Sequence, residues 1–366
     1  MPDQHHHQTL PLAFSSVSAA APLGWAAERC IRSAPNHLEC ERCVESCPAQ
    51  ALFFVEENER SAKGQRLVAS DACHGCGACL PSCPTEALLS SELQRLDQAL
   101  STQQQGKPLT IACHRVENVT FTGESLHCLR AIGVDQLLSW MTQTPDLSIT
   151  LCVADDCTHC QAAPVKQANA DAWWEQMQRL GVLQMAKTRH PYRAAQGAVM
   201  SRRRFLGASR PQQPVYTQTD AGVHARRLQR YAAAMHSSLP ADFPADLKQQ
   251  LPQIQLDQQR CDASGVCSKV CPTDALQLSD QGVLSFTSLD CINCGFCISH
   301  CPEQALMMTD SSDFGTWVLR ENPVVACFDC GREFSSSQID SDAAPICPAC
   351  RREKNLLQEG FSQLFG

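Results

Sequence analysis

Long hydrophobic runs are missing from this 366-residue sequence. None reaches the roughly eighteen apolar residues that a membrane-spanning helix needs, so no integral membrane segment is expected. Aromatic residues are scarce at 6%, which suits small domains whose interiors are not built on large rings. There is no glycine-rich dinucleotide fingerprint, no phosphate loop, and no flavin or molybdopterin motif, so no site for turning over an organic substrate is legible. No Lys or Arg precedes Arg29, and the apolar patches of 10–27 are interrupted by Ser15, Ser16 and Ser18. A signal peptide is therefore not expected.

Cysteine is abundant instead. The chain carries 24, and 23 of them stand in recognisable clusters of metal-ligand type, most as CxxC or CxxxCP, leaving Cys128 the most isolated. Disulfide scaffolds are short and lack this grouping, so the expectation is thiolate metal ligands in a reducing, cytoplasmic compartment. The net charge of −8 is unevenly spread: from Ala186 to Arg230 there are ten Lys/Arg and one acid, Asp220. Such a stretch reads as a solvated linker or as a docking surface for an acidic partner. Within it, the run from Ser201 to Gly207 (SRRRFLG) has a twin-arginine pattern. It lies mid-chain with no apolar segment after it, so a basic, helix-opening segment is expected rather than an export signal.

Internal repetition divides the chain. The same phrase occurs four times: CPAQAL from Cys47, CPTEAL from Cys83, CPTDAL from Cys271 and CPEQAL from Cys301. The resulting boundaries are an N-terminal extension (1–27), a first cysteine module (28–92), a small α/β domain (108–182), a basic linker and helix (183–250), a second cysteine module (251–312) and a final cysteine unit (324–355). In the middle, LTIAC (109–113) and LSITLC (147–152) are strand-like, and 129–141 and 165–181 carry apolar residues at helical spacing. Residues 101–108 read as a linker, and 224–239 as a helix.

CHGCGACLPSCP from Cys73 and CINCGFCISHCP from Cys291 follow C-x2-C-x2-C-x3-C-P in full. In bacterial two-cluster ferredoxins the first three cysteines of each run hold one iron–sulfur cluster and the fourth reaches the other. Both cysteine modules resemble these domains, and the chain as a whole resembles a polyferredoxin. That resemblance implies four ligand sets. The first is Cys30, Cys40, Cys43 and Cys83, in which Cys30 stands in for the cysteine absent at Asn36–His37 and His37 is a competing ligand. The second is Cys73, Cys76, Cys79 and Cys47. The third has three thiolates, Cys261, Cys267 and Cys301, because Ser264 occupies the second cysteine position. The fourth is Cys291, Cys294, Cys297 and Cys271. Three [4Fe–4S] clusters are thus expected. The third set should hold either a [3Fe–4S] cluster or a labile [4Fe–4S] cluster, with Ser264, Asp262 or solvent at its fourth iron.

In the middle domain Cys113 and Cys152 end predicted strands, and Cys157 and Cys160 follow in the next loop. Loops at the carboxyl ends of strands in open α/β sheets gather at one edge, so these four thiols are expected to converge. The pattern IACHR…CLRAIGVDQLL…LCVADDCTHC resembles the small iron–sulfur delta subunit of methyl-viologen-reducing hydrogenases. That resemblance implies a [2Fe–2S] cluster on Cys113, Cys152, Cys157 and Cys160; zinc or unligated thiols are the alternatives. His159 and His114 sit beside thiols and suit a lowered thiol pKa.

Two knuckles near the C-terminus, Cys327/Cys330 and Cys347/Cys350, have zinc-ribbon spacing. Four thiolates close a tetrahedral sphere, so one structural Zn2+ is expected, with rubredoxin-type iron as the alternative. Arg351, Arg352 and Lys354 follow, but the chain is acidic overall and nucleic-acid binding is not expected.

The expected fold class is α+β: two ferredoxin-like modules flanking a small α/β domain, plus a zinc-ribbon-like unit. No catalytic residue is assigned. The layout resembles accessory iron–sulfur proteins of bacterial molybdopterin formate dehydrogenases. That implies an electron-transfer protein, more an electron carrier or accessory subunit than an enzyme, passing single electrons to or from a redox enzyme or carrier protein. The alternative is an assembly or maturation factor, or a redox sensor, with the labile cluster at Ser264.

Overall fold

A computed structural model describes residues 23–33, 38–56, 65–102, 108–116, 124–143, 148–155, 160, 168–186, 222–237, 251–311, 313–336 and 344–365. The chain divides into two units, Met1–Leu247 and Lys248–Gly366.

In the first unit, β1 (Leu23–Trp25) pairs antiparallel with β4 (Leu88–Ser90), while β2 (Leu52–Glu56) and β3 (Gln65–Ala69) form a hairpin. Two of these strands begin where a CPxxAL phrase ends. The turn has a physical cause: Gln50 and Glu86, the residues before the phrase's alanine, adopt the left-handed conformation (φ 49° and 54°). This aims the next amide back, so Ala51 N–H and Ala87 N–H each donate to the sulfur of Cys47 and Cys83 at 3.3 Å. Both alanines are buried. The core between the sheets comprises Leu23, Trp25, Leu52, Leu67, Leu80 and Leu88 with Ala131 of the following domain.

A four-stranded parallel sheet follows, in the order β6 (Glu124–Leu126), β5 (Leu109–Cys113), β7 (Ile149–Ala154), β8 (Leu183–Ala186). Three helices accompany it: α2 (Ser91–Thr102), α3 (Val134–Gln143) and α4 (Ala168–Arg179), numbered after the short α1 (Arg42–Glu45). Ile111, Leu151, Leu137, Ile132 and Met177 fill its core and are fully buried. Helix α2, β6 and β8 go beyond the sequence reading; α2 begins directly at the end of β4, so no linker separates it from the cysteine module.

Helix α5 (Arg226–His236) packs on α3 through Tyr231 and Ala234 against Leu138. Its arginines Arg226, Arg227 and Arg230 end the basic stretch, and they bind groups of this same unit. They are therefore not presented to an acidic partner, in contrast to the docking-surface reading. Residues 187–221, including the twin-arginine pattern, lie outside the described residues.

The second unit repeats the first module's plan. β9 (Leu251–Leu256) pairs antiparallel with β12 (Leu306–Ser311), and β10 (Leu276–Leu278) with β11 (Val283–Thr287), to which β13 (Thr316–Glu321) adds a third strand. Asp274 and Gln304 take the left-handed turn (φ 55° and 47°), and Ala305 N–H donates to Cys301 sulfur at 3.3 Å. Helices α6 (Val266–Lys269) and α7 (Phe296–Ser299) carry Cys267 and Cys297. A short hairpin, β14 (Val324–Ala326) with β15 (Glu333–Ser335), and the helix α8 (Pro348–Phe365) complete the unit. Among the described residues no helix is long and apolar enough to cross a membrane.

Candidate metal centres

Of the fifteen thiols expected to bind clusters in the two ferredoxin-like modules, twelve divide between two crowded sites in the first unit and one in the second, and the other three gather around Ser264. In the first site, Cys43 is surrounded by Cys83, Cys30 and Cys40; burial first, then these neighbours, push its thiol up to about 12. Cys30, ten residues ahead of Cys40, is brought in by a loop that Leu38 N–H closes onto Ile31 O at 2.9 Å. Arg32 holds the loop from outside, donating to Cys40 O at 3.4 Å and pairing with Glu41 at 3.2 Å. His37, the competing ligand, lies outside the described residues.

The second site is a cavity lined by Cys47, Cys73, Cys76 and Cys79, walled by Leu23, Leu52, Pro48 and the backbone of Gly75 and Gly77. Gly77 (φ 72°) is obligatory there: an added Cβ would come within 2.8 Å of Ala131 Cβ. Burial, then neighbouring thiols, raise Cys79 well above the ordinary range, and Cys43 of the first site is among those neighbours. The two sites of the module are therefore adjacent.

The second unit has the same arrangement with one gap. Cys271, Cys291 and Cys294 surround Cys297, whose thiol burial and these neighbours push up to about 12. The other cavity is lined by Cys261, Cys267, Cys301 and Ser264, with Arg320 and Asn322 on its wall. Burial, followed by Cys261 and Cys301, pushes Cys267 up to about 11. Asp262 also lines the cavity; one carboxylate oxygen accepts Ser264 N–H at 3.0 Å and the other pairs with Arg352 at 3.1 Å. Three cysteines, Ser264 and Asp262 thus line this cavity.

These donor sets fit iron–sulfur clusters on their own chemistry. Buried thiols crowded this closely cannot all ionise without a cation among them, and soft thiolates suit cluster iron. Backbone N–H groups are already aimed at sulfur, at Cys261 from Ala263 and at Cys291 from Asn293, each 3.4 Å.

Among the described residues of the middle domain, Cys113 and Cys152 lie on opposite faces of the sheet. Ala112 is the register partner of Cys152, so Cys113, one residue on, points to the opposite face of the sheet. Cys152 contacts Gln184 of β8 at 3.6 Å, whereas Cys113 lies 4.0 Å from His127 O and 3.9 Å from His114 Nδ1. Cys160 is described but is not grouped with either, and Cys157 and His159 lie outside the described residues. Cys113 has Cys128 as a neighbour, a half-buried residue whose surroundings also include Cys76 of the second site. Sequence reading left Cys128 isolated because a parallel β5–β6 pairing, invisible in the spacing, is what brings it alongside.

At the C-terminus the four sulfurs of Cys327, Cys330, Cys347 and Cys350 lie within 4.8 Å of one another, a group able to hold a metal ion. Cys347 N–H donates to Cys327 sulfur at 3.2 Å, the leading cause of a Cys327 thiol pushed down to about 6. Lys354 pairs with Asp329 of the first knuckle at 2.8 Å.

A final cluster of charges joins α5 to the first module. Arg227 Nε donates to Cys83 O at 2.9 Å, Arg227 N–H to Pro84 O at 3.3 Å and Arg226 to Thr85 O at 3.0 Å. Arg230 pairs with Glu86 at 2.6 Å and with Asp135 of α3 at 2.7 Å; Arg227 pairs with Asp135 at 3.0 Å. Burial tends to raise Glu86, but Arg227 and Arg230 outweigh it and hold the carboxyl below its ordinary range. Gly133 leaves room for this knot, since a Cβ there would stand 2.9 Å from Arg227 Nη1. No sequence motif announces the knot; its arginines lie more than ninety residues from the carboxylates they meet.

With this geometry in hand, two family matches are informative. Residues 38–87 match a family described as 4Fe-4S dicluster domain, and residues 253–302 match a second family of the same description. No curated protein matches the chain at significant similarity. The chain therefore contains two 4Fe-4S dicluster ferredoxin domains, which support an iron–sulfur electron-transfer role.

Proposed function

We propose that this protein is a multi-cluster electron carrier that passes single electrons between a redox enzyme and a partner. The observation that carries the reading is the pairing of ligand sets, with each fourth cysteine crossing to its neighbour's site and Cys79 lying beside Cys43. When bound, the clusters supply one-electron chemistry at sulfur-ligated iron. The chain's residues do the rest: Cys30, Cys40, Cys43 and Cys83 hold the first, and Cys47, Cys73, Cys76 and Cys79 the second. Cys261, Cys267 and Cys301 hold the third, and Cys271, Cys291, Cys294 and Cys297 the fourth. Leu23, Leu52, Leu256 and Leu306 limit water at the cavities. The Cys327–Cys350 group is assigned one structural Zn2+, organising a segment with little core of its own. The partner is a redox enzyme, a formate dehydrogenase by the resemblance above, and the working compartment is cytoplasmic.

Anaerobic purification with metal counts and potentiometric EPR tests this. About fifteen irons with one zinc, cycling reversibly with a low-potential donor, is the expected result. Clusters that never cycle reversibly overturn the carrier reading. They would favour the assembly or sensor role, for which the cysteine-poor cavity at Ser264 is the supporting observation.

A further inference from the structure

We propose that the indole N–H of Trp25 is a built-in donor to the Cys30 thiolate, so that Trp25 tunes the potential of the site of Cys30, Cys40, Cys43 and Cys83. The proposal rests on the carrier reading and on Cys30 as a ligand, and adds a residue that neither requires. In each of the four ligand runs the alanine of a CPxxAL phrase accepts a backbone N–H near the end of a strand. Ala87 O receives Ala26, Ala51 O receives Ser70, Ala305 O receives Asp257 and Ala275 O receives Thr287, each at 2.8 Å. Three or four residues further on stands a thiol: Cys30, Cys73, Cys261 or Cys291. Cys30 therefore holds the place of a first ligand. It also shares the first ligands' backbone donor, the N–H two residues on: Arg32 for Cys30, Gly75 for Cys73, Ala263 for Cys261 and Asn293 for Cys291.

The residue just before each anchored N–H is Trp25 of β1, Ala69 of β3, Leu256 of β9 or Phe286 of β11. Three of these side chains have no polar atom. Leu256 lines the cavity of Cys261, Cys267 and Cys301, so this position faces the ligands of its run. Trp25 is 5% exposed and belongs to the core against which Cys30, Cys43 and Cys83 pack. Its Nε1 is sealed from solvent and meets no oxygen or nitrogen acceptor among the described residues. A buried donor without an acceptor costs free energy that Leu or Phe in the same place would not. The group it does act on is the Cys30 thiol. Burial raises that thiol above its ordinary range and Cys83 and Cys40 add to the rise, whereas Arg32 N–H and Trp25 work against it by favouring the thiolate. Ligand sulfur is more negative in a reduced site than in an oxidised one. A donor aimed at it therefore favours the reduced form, and more strongly where water is excluded. The couple moves one electron in or out of the ligand set, and no bond at sulfur is made or broken.

The test is potentiometric EPR on the full-length protein, comparing wild type with Trp25→Phe and with a protein carrying benzothienylalanine in place of Trp25. The latter keeps the ring shape but has sulfur where the indole has N–H. In both, the reduced-to-oxidised ratio of one first-module cluster at fixed potential is expected to fall about threefold, equivalent to ~28 mV for a one-electron couple. The other cluster should not move, and the affected signal is assigned to its site by its alteration in Cys40→Ser. Pulsed EPR of wild type with isotope-labelled indole nitrogen should show a coupling to that reduced cluster, lost in Trp25→Phe. Unchanged potentials in the benzothienylalanine protein at full iron content overturn the proposal, as does a shift confined to the Cys73–Cys79 site. So does a wild type without the nitrogen coupling, or a coupling that survives Trp25→Phe. Should Trp25→Phe lose iron, the benzothienylalanine protein and the wild-type coupling decide. Irreversible cycling in the wild type sinks the carrier reading itself, whereas reversible cycling with unshifted potentials sinks only this inference.

Discussion

The two dicluster modules share a plan of terminal ladder and central hairpin, and both depart from it in the first cysteine run. The first module replaces the absent cysteine from a distance: Cys30 enters through a loop stapled by Arg32. The second leaves the position to Ser264, beside Asp262, whose carboxylate is bonded to Ser264 N–H and to Arg352. An arginine-bearing helix also reaches the same turn of each module, the one after the second run's last cysteine. In the first this is α5, with buried side chains bonded to carbonyls. In the second it is α8, where Arg352, 46% exposed, meets Glu303 at 3.3 Å. Buried, multiply bonded charge builds a fixed part of the structure, whereas the same residue type in solvent makes a weak, screened contact. One module is repaired and locked, and the other is left chemically open.

The largest test of this contrast is Cys83→Ser. It removes a ligand, and with it the sulfur that Ala87 N–H binds; about four irons should be lost, read by iron and sulfide assay, with the second module's EPR signals intact. Retention of all iron would mean that Cys83 is not a ligand. Next is Asp135→Ala, which removes one of the two carboxylates that Arg227 and Arg230 share in the buried knot. Unfolding of the first unit by denaturant should become easier by about 3–5 kcal/mol, the usual cost of breaking a buried pair. A loss under ~1 kcal/mol, typical of surface pairs, would equate the two arginine contacts and erase the distinction. Smaller is Ser264→Cys, which should add about one iron and abolish a [3Fe–4S] signal without moving first-module potentials. If that signal is absent beforehand and the iron count does not change, the open-site reading fails. The smallest effect belongs to Arg352→Ala, expected to change stability by ~1 kcal/mol or less, and less still at high salt.

Local chemistry was legible in the sequence wherever ligand and neighbour lie on one short segment. CxxC spacing identified thiolate sites because three ligands of one loop must sit on one cluster face, and the CPxxAL phrase marked the turn that sends alanine N–H back to sulfur. The middle domain shows the limit. Strand ends pointed to Cys113 and Cys152 as partners, but side chains alternate along a strand, and register put them on opposite faces. Cys128 looked isolated for the same reason in reverse. The basic stretch read as a linker or a docking surface, because charge density alone does not distinguish an arginine facing solvent from one facing Asp135.

The sequence by itself determined the cofactor chemistry and the repeat: iron–sulfur ligand sets in two modules, one with a serine in place of a thiol, and a closed four-thiol group at the end. Tertiary structure alone decided which thiols of the middle domain face one another and where the arginines go. Spacing constrains residues a few positions apart. The contact of Arg227 with Cys83 crosses 144 positions, and only strand register and helix packing bring such residues within hydrogen-bonding reach.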